Sequence, residues 1–385
     1  MQHDIPLSLY VHIPWCVKKC PYCDFNSHEK NDSFDEEKYV QALLLDLDKE
    51  YQLNQNRHLN SIFFGGGTPS LFSENAIHQI ITHAKKLFKF DDIEITLEAN
   101  PGTFEQDKFN GFRQAGVNRL SIGIQSFNKT HLKALGRIHD DQQALRAITT
   151  AKNAGFENIN LDLMFGLPKQ TVQQALKDVT TACEFGVPHI SHYQLTIEEN
   201  TYFYKHTPTL PDNDLIWEMQ SQCQNELADR HYQQYEISAY AKPDADSDMQ
   251  SQHNLNYWHF GDYIGIGAGA HGKTSVTSHG NVNIKRQWKH RQPQQYIEKT
   301  LNGNAISGSQ QLAQQDIVFE FLLNALRLKK GSSIRNFEET TGLEFQAIAK
   351  AVKDIDPSLL TIDKNKVCTT EKGFLFLNEI LENLL

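Results

Sequence analysis

Six short apolar runs alternate with segments of helical periodicity over the first 240 residues, and this alternation constrains the fold more than any other feature. The apolar runs cover residues 7–13, 61–64, 93–98, 119–124, 158–164 and 190–197. The helical segments cover residues 34–51, 74–88, 141–154, 171–185 and 215–230. Strands that alternate with helices favour right-handed crossovers and a parallel sheet. Six such units predict an α/β fold, an open partial (β/α)6 barrel, with ligands at the carboxyl ends of its strands.

The pattern divides the chain into three regions. Residues 1–240 form the predicted barrel, and residues 241–308 are predicted to be a connecting region because the chain turns polar and aperiodic around 242–252. Residues 309–385 predict a small C-terminal α+β domain that is winged-helix-like. Its predicted elements are helices over 316–328, Ile334–Thr341 and 345–355, a hairpin over 359–369 and a last helix over 373–384.

Composition excludes several classes of protein. The net charge of −10 argues against nucleic-acid binding, which needs a basic face. No run approaches the roughly 18 apolar residues of a membrane span. The first residues lack the basic and apolar regions of a signal peptide, so we expect a cytoplasmic protein. Three of the six cysteines fall within one short loop, which is not the distribution of a disulfide framework.

That loop holds Cys16, Cys20 and Cys23 directly after the first predicted strand. Three thiolates can hold three corners of a cubane iron–sulfur cluster and leave the fourth iron without a protein ligand. The amine and carboxylate of the methionine part of S-adenosylmethionine (SAM) can chelate that iron. The alternative is a zinc site with His12 or His28 as the fourth ligand.

The C-x3-C-x2-C spacing, with an aromatic residue before the last cysteine, resembles the signature of the radical SAM superfamily. The resemblance implies a [4Fe–4S] cluster, SAM as a second cofactor, and a place near the adenine for Tyr22. After the second strand, Gly66, Gly67 and Thr68 belong to a Gly-Gly-Gly-Thr-Pro turn. Glycines let a ligand approach the backbone, and free carbonyls there can accept hydrogen bonds from the methionine ammonium.

Further polar residues end or interrupt the next strands. Glu98 ends the third strand, where a carboxylate could bind ribose hydroxyls, and Gln125 ends the fourth. Asp162 lies inside the apolar fifth strand, so we expect it to point into the barrel, because a buried charge is costly without a partner. A buried ion pair between Asp162 and Arg137 is the structural alternative to a binding role.

Longer motifs make the resemblance more specific. The sequences Glu-Ala-Asn-Pro-Gly, Gly-Ile-Gln-Ser-Phe, Leu-Gly-Arg-Ile-His and Asp-Leu-Met-Phe-Gly-Leu-Pro are similar to those of the oxygen-independent coproporphyrinogen dehydrogenase superfamily, over nearly the whole chain. The resemblance implies that Tyr10, Gly66 and Glu98 contact a first SAM. It also implies that Gln125, Arg137 and Asp162 face a second SAM, or heme in its place.

Two branches of this superfamily must be separated, the dehydrogenases and the HemW-type heme chaperones. The dehydrogenases carry a further cysteine where this chain has Phe25, and they have a longer segment before the first strand. The run from His253 to Trp258 matches the HNxxYW motif of the chaperones. Imidazole is a common axial ligand of heme iron, so the resemblance favours His253 as a heme ligand. A hydrogen-bonded structural histidine is the alternative.

The sequence therefore favours a heme chaperone with a SAM-coordinated [4Fe–4S] cluster. Its expected partners are heme, acceptor hemoproteins that include membrane respiratory enzymes, and a second copy of the chain in a homodimer. The alternative is an oxygen-independent coproporphyrinogen III dehydrogenase, which removes CO₂ from two propionates by radical chemistry drawn from the cofactor.

Overall fold

The computed structural model describes residues 5–30, 34–103, 106–243, 249–278 and 281–384, and it is built on one twelve-stranded sheet. The strands are β1 Leu7–Ile13, β2 Trp15–Cys16, β3 His28–Glu29, β4 Leu59–Gly66, β5 Glu94–Ala99, β6 Arg119–Gln125, β7 Asn158–Phe165, β8 His189–Gln194, β9 Gln233–Glu236, β10 Ala239–Ala241, β11 Asp262–Ile266, β12 His271–Ser278, β13 Asn281–Lys289, β14 Ile306–Gln311, β15 Ser332–Ser333, β16 Leu360–Ile362 and β17 Lys366–Thr369. The helices are α1 Glu36–Leu53, α2 Glu74–Phe88, α3 Gln106–Ala115, α4 Lys129–Ala134, α5 Asp141–Asn153, α6 Val172–Glu184, α7 Tyr202–Lys205, α8 Asn213–Asp229, α9 Gln252–Trp258, α10 Pro293–Leu301, α11 Gln314–Ala325, α12 Ile334–Thr341, α13 Phe345–Ala351, α14 Glu371–Leu375 and α15 Leu377–Glu382.

The partial barrel predicted from the sequence is confirmed. Strands β1, β4, β5, β6, β7 and β8 are neighbours in that order, and every pair among them is parallel. Helices α1, α2, α3, α5 and α6 follow or connect these strands. Two of the helices begin with a capping box, at Asp140 and Gln143 and at Thr171 and Gln174, which satisfies backbone donors that the helix leaves free.

The side-chain alternation of the strands separates an apolar outer face from a polar inner face. Leu9, Ile62 and Leu97 are fully buried in the main hydrophobic cluster with the surrounding helices. The neighbouring positions in the same strands point the other way, because successive strand side chains face opposite sides. These inner residues are largely polar: Ser8, Tyr10, His12, Ser61, Thr96, Glu98, Ser121, Asn160 and Asp162. These polar side chains can form hydrogen bonds with a ligand inside the barrel.

The region over residues 241–308 differs from the connecting region that the sequence predicts. β11 pairs in parallel with the free edge of β1, and β12, β13 and β14 continue the same sheet in antiparallel order. Strands this rich in polar residues do not show the hydrophobic alternation by which a strand is recognised. Within the predicted surface loop, residues 244–248 lie outside the described residues.

Helix α9 lies at the amino end of the barrel strands. The backbone N–H groups of Gln252 and His253 both donate to the carboxylate of Glu94, the first residue of β5, each at 3.1 Å. The side chain of His253 reaches Ser61 near the start of β4. This helix therefore covers the end of the barrel that lies opposite the cysteine loop.

The C-terminal domain has the predicted α+β composition. Helix α12 has the predicted bounds, and β15, β17 and β16 form a three-stranded sheet beside the helices. The predicted last helix breaks at Phe376 into α14 and α15. Phe321, Phe337 and Val367 are fully buried in the core of this domain. Within the described part of the chain, every helix is too short or too polar to span a membrane.

Candidate functional site

The cysteine loop leaves β1 at the carboxyl end of the barrel and is held there by backbone hydrogen bonds. The N–H of His28 donates to the carbonyl of Pro14 at 2.7 Å, and that of Lys30 donates to the carbonyl of Cys16 at 2.8 Å. The Asn26 amide donates to the carbonyl of Ala268 at 2.8 Å, which ties the loop to the segment after β11. These hydrogen bonds fix the path of the loop backbone.

A cavity of about 370 Å³ opens under this loop. It gathers all of the sequence-predicted site residues except Tyr10 and His253. Those that line it are Cys16, Cys20, Tyr22, Cys23, Gly66, Gly67, Thr68, Glu98, Gln125, Arg137 and Asp162. The carboxyl ends of β4, β5, β6 and β7 bring these residues together, as expected for a barrel whose ligand site lies at that end.

The three thiols fit a cluster better than a single ion. Among the described residues, no three His, Cys, Asp or Glu side chains are grouped closely enough to hold one metal ion. A cubane does not need such a group, because each thiolate binds a different iron at a different corner. His12 is also engaged elsewhere, with Nδ1 at 3.0 Å from the Tyr10 hydroxyl and Nε2 at 2.9 Å from the carbonyl of Asn26. His28, the other candidate for a fourth zinc ligand, belongs to no such group among the described residues either.

Burial disfavours ionised thiols in the metal-free loop. It raises the pKa of Cys16 to about 11, and the neighbouring cysteines add to this rise. The pKa of Cys23 is also raised by burial. Metal ligation needs thiolates, so iron must displace these protons when it binds.

The glycine turn is shaped by close approach of the neighbouring segments. Gly66 has a φ of 116°, and a Cβ there would lie 2.6 Å from the ring of His12. A Cβ on Gly67 would lie 2.6 Å from the carbonyl oxygen of Trp15. The N–H of Gly66 donates to Glu98 at 3.1 Å, and the Asn100 amide donates to the Thr68 hydroxyl at 2.9 Å. The turn therefore lies flush against the cysteine loop and leaves its other side open to the cavity.

Two buried carboxyl groups line the cavity, and burial favours their protonated forms. Burial, followed by the nearby carboxylate of Asp162, raises the pKa of Glu98 to about 8. Burial also raises the pKa of Asp162, although Ser121 and Asn160 donate to it at 3.0 and 2.7 Å. A ligand that brings hydroxyl donors or a positive charge would be favoured here. SAM offers both, in its ribose and its sulfonium.

Arg137 does not form the ion pair that was the structural alternative for it. Its guanidinium donates to Asn100, to the carbonyl of Gly123 at 2.8 Å and to the sulfur of Cys20 at 3.6 Å. These contacts place a fixed cation against the cysteine loop.

Gln125 is strained and incompletely hydrogen-bonded. Its φ of 66° is unusual for a residue with a side chain, and its buried Oε1 has no hydrogen-bond partner within the described residues. Strain at a cavity wall is typical of a residue held in place for a ligand.

His253 lies away from the cavity. Its side chain is 1% exposed, Nδ1 is 2.8 Å from the Ser61 hydroxyl, and Nε2 is 3.2 Å from the Tyr257 hydroxyl. Burial lowers the pKa of this imidazole to about 3, so the ring is neutral. This geometry is that of the structural alternative. Heme ligation by His253 stays a prediction, and it requires the ring to leave both partners.

Three residues of the site were not predicted from the amino-acid sequence. Asn100 bonds to both Thr68 and Arg137, the backbone of Gly123 accepts from Arg137, and Tyr193 lines the cavity beside Asp162. Asn100 had a signal, since it lies two positions after Glu98 and so shares the face of that strand. Gly123 opens the Gly-Ile-Gln-Ser-Phe motif, but its part in the site is played by its backbone carbonyl, and Tyr193 lies in no motif.

Comparisons with known proteins identify the family of this chain. Residues 10–182 match the model of the Radical SAM superfamily, and residues 312–376 match that of the HemN C-terminal domain. The heme chaperone HemW of Haemophilus influenzae is 46% identical over 386 residues, covering 99% of this chain and 98% of that protein. HemW of Escherichia coli is also 46% identical, over 382 residues, with the same coverage of both chains. The solved structure of E. coli coproporphyrinogen III oxidase (HemN), a radical SAM enzyme, shares the fold with a TM-score of 0.81 at 24% identity, covering 99% of this chain and 90% of that one. This chain belongs to the HemW family of the radical SAM superfamily.

Proposed function

We propose that this protein is a heme chaperone, which binds heme and transfers it to acceptor hemoproteins. The observation that carries the proposal is the full-length similarity at 46% identity to relatives named heme chaperone HemW, together with a cavity that gathers the cysteines and the glycine turn. A cytoplasmic location belongs to the same proposal, as do acceptors among membrane respiratory enzymes.

The cavity residues suit a cluster and one SAM. Cys16, Cys20 and Cys23 would hold three irons, with Arg137 against the sulfur of Cys20. The turn from Gly66 to Thr68 would receive the methionine part of SAM, and Glu98 the ribose. When bound, such a cluster supplies a single electron at low potential. The residues around it keep the cofactor in place.

The size of the cavity limits what else can bind inside it. A volume of about 370 Å³ is near the lower end of the range for small-molecule pockets, about 300–1,000 Å³. Gln125, Arg137 and Asp162, the residues implied for a second SAM, line the same cavity as Glu98. We therefore propose that this cavity holds the cluster and a single SAM, and that heme binds outside it.

One experiment separates the chaperone from a dehydrogenase. The protein is reconstituted anaerobically with iron and sulfide, and is then given either heme alone or coproporphyrinogen III with SAM and a reductant. We expect stoichiometric heme binding, seen as a shifted Soret band, and no decarboxylated porphyrin. Heme bound in this way should pass to an apo-hemoprotein on mixing. Decarboxylated product, or an unshifted Soret band, would contradict the proposal.

The heme ligand is tested in the same titration. His253→Ala should abolish the Soret shift if His253 is the axial ligand, and the matched variant His259→Ala, one residue beyond α9, should not.

Homodimer formation is part of the proposal, and size-exclusion chromatography with and without SAM measures it.

A further inference from the structure

We propose that a column of four rings couples the glycine turn at one end of the barrel to α9 at the other, so that SAM binding stabilises the C-terminal domain. The rings are those of His12, Tyr10, Phe63 and His253. The inference rests on the proposed SAM site and adds a route by which that site could control a distant surface. It also gives the HNxxYW motif a role that needs no contact with iron.

The four rings form a continuous series of contacts. The ring of His253 stacks on Phe63, with centroids 5.0 Å apart, and Phe63 stacks on Tyr10 at 6.3 Å. The Tyr10 hydroxyl is 3.0 Å from Nδ1 of His12. Nε2 of His12 is 2.9 Å from the carbonyl of Asn26, within the cysteine loop. All four ring-bearing residues are on the lumen side, between the two ends of the barrel.

At the carboxyl end of the barrel, the rings of the column contact the glycine turn of the proposed SAM site. A Cβ on Gly65 would lie 2.9 Å from the ring of Phe63 and 3.0 Å from that of Tyr10. A Cβ on Gly66 would meet the ring of His12. Because rings and backbone are already in van der Waals contact, the turn cannot tighten around a ligand without moving the rings. Close-packed interiors transmit such displacements.

At the lower end the column enters α9. His253 is hydrogen-bonded there to Ser61 and Tyr257. Ser61 and Gly66 are five residues apart on β4, so the two ends of the column are separated by roughly 16 Å at about 3.3 Å per residue. A ligand at the glycine turn cannot touch α9 directly across this distance.

Helix α9 in turn contacts the C-terminal domain. The Trp258 ring lies 4.5 Å from the guanidinium of Arg327, and the carbonyl of His259 accepts from Asn336 at 3.0 Å. Tyr257 packs edge-on against Tyr263 at 4.5 Å. The Tyr263 hydroxyl accepts from Arg286 at 2.6 Å, and Arg286 is paired with Glu320 on α11 at 2.7 Å. The helix thus has one face in the barrel and another on the domain.

Hydrogen exchange of the reconstituted full chain, with and without SAM, tests the coupling. SAM should slow exchange in residues 62–68, which line its site, and also in 252–258 and 314–351, by about fivefold or more. Phe63→Leu removes the ring in the middle of the column but keeps an apolar side chain beside the glycine turn. It should keep the protection of 66–68 and lose that of the two distant segments. Phe109→Leu, a buried substitution of the same size against Phe156, is the matched control and should keep all three.

A second variant tests the lower link separately. Arg327→Gln removes the cation from Trp258, and from Glu236 at 3.8 Å, but keeps a polar side chain at a position that is 32% exposed, so it should disturb folding less than Phe63→Leu. Protection of 252–258 should persist in this variant while that of 314–351 falls. Protection confined to 62–68 in the unsubstituted protein, or unchanged distant protection in Phe63→Leu, would overturn the inference. Neither result would bear on heme binding, whereas an unshifted Soret band would refute the chaperone and leave this coupling standing.

Discussion

Each of the three loop cysteines has a different environment. Cys16 is buried beside Trp15, whereas Cys20 and Cys23 are partly exposed. Of the three sulfur atoms, that of Cys20 accepts a hydrogen bond from Arg137. The loop backbone is held by its own hydrogen bonds, so the loss of one thiol should change metal content more than fold.

Cys20→Ala should therefore lose the cluster while the apo-protein keeps its stability. We expect the iron and sulfide bound after anaerobic reconstitution to fall at least about tenfold, because two thiolates cannot hold the cubane. Cys368→Ala, a partly buried cysteine of the C-terminal domain, is the control and should bind the normal amount. Full iron content in Cys20→Ala would exclude this thiol as a ligand.

Glu98 has a predictable effect on the pH dependence of stability. Its pKa is raised from 4.5 in the unfolded chain to about 8 in the folded one. Between these values the folded state holds the extra proton, so this group makes the protein less stable as pH rises from 4.5 towards 8. Glu98→Gln should thus raise the free energy of unfolding of the SAM-free protein at pH 8 and change it little at pH 4.5.

Urea unfolding at the two pH values measures this difference. Glu184→Gln, at an exposed carboxylate at the end of α6, controls for the effect of the same substitution at the surface. SAM binding should weaken in Glu98→Gln, because an amide binds ribose hydroxyls less strongly than a carboxylate does. Equal destabilisation of the variant at both pH values would contradict the raised pKa.

At the scale of elements, a buried ionic cluster fastens the added strands to the barrel. Lys289 on β13 lies 2.6 Å from both Asp46 and Glu50 of α1, and Tyr296 of α10 donates to Asp46 at 2.8 Å. Gln287 also donates to Glu50, at 2.5 Å. Burying ions is costly, so this arrangement holds only while every partner is present.

Lys289→Met should destabilise the protein by about 3–5 kcal/mol, because it leaves two buried carboxylates without their cation. Lys285→Met, on the same strand but exposed, should cost less than about 0.5 kcal/mol. Urea unfolding followed by tryptophan fluorescence measures both. A cost for Lys289→Met no larger than that for Lys285→Met would show that the cluster contributes nothing to the docking of β13.

At the scale of the whole molecule, the C-terminal domain shares its core with the rest of the chain. Phe260, before β11, and Ile284, on β13, are buried in the same hydrophobic cluster as Phe321 and Phe337. The Arg286–Glu320 pair crosses the same boundary. The C-terminal domain is therefore packed against the strands before it through a shared hydrophobic cluster.

A chain that stops after residue 311 should lose stability for this reason. Exposure of Phe260 and Ile284 costs about 1.5–3 kcal/mol each, so a loss of roughly 3–6 kcal/mol is expected. The midpoint of urea unfolding should fall accordingly, and light scattering should show association through the exposed patch. A truncated chain with the midpoint of the full one would show that the barrel does not depend on the domain.

Local patterns in the sequence were sufficient for the barrel and for most of its site. The strand–helix alternation, the cysteine spacing and the residues at strand ends depend on neighbours a few positions apart. A parallel sheet brings all of its strand ends to one edge, so the amino-acid sequence was enough to group Cys16, Glu98 and Asp162 at one site. Helix α12 was predicted with its bounds because its apolar periodicity is strong.

Tertiary structure alone decided the rest, because those features depend on contacts between residues far apart in the chain. β12 to β14 joined the sheet although their sequence is polar, since the buried Lys273 pairs with Asp262 on the adjacent β11 and the buried Lys289 pairs with the distant Asp46 of α1. Arg137 was placed against Cys20 rather than Asp162 by the path of the loop that carries it. The amino-acid sequence determined which residues would line the barrel, and the packing of α9 under its far end determined that His253 is hydrogen-bonded to Ser61 and Tyr257 instead of facing the cavity.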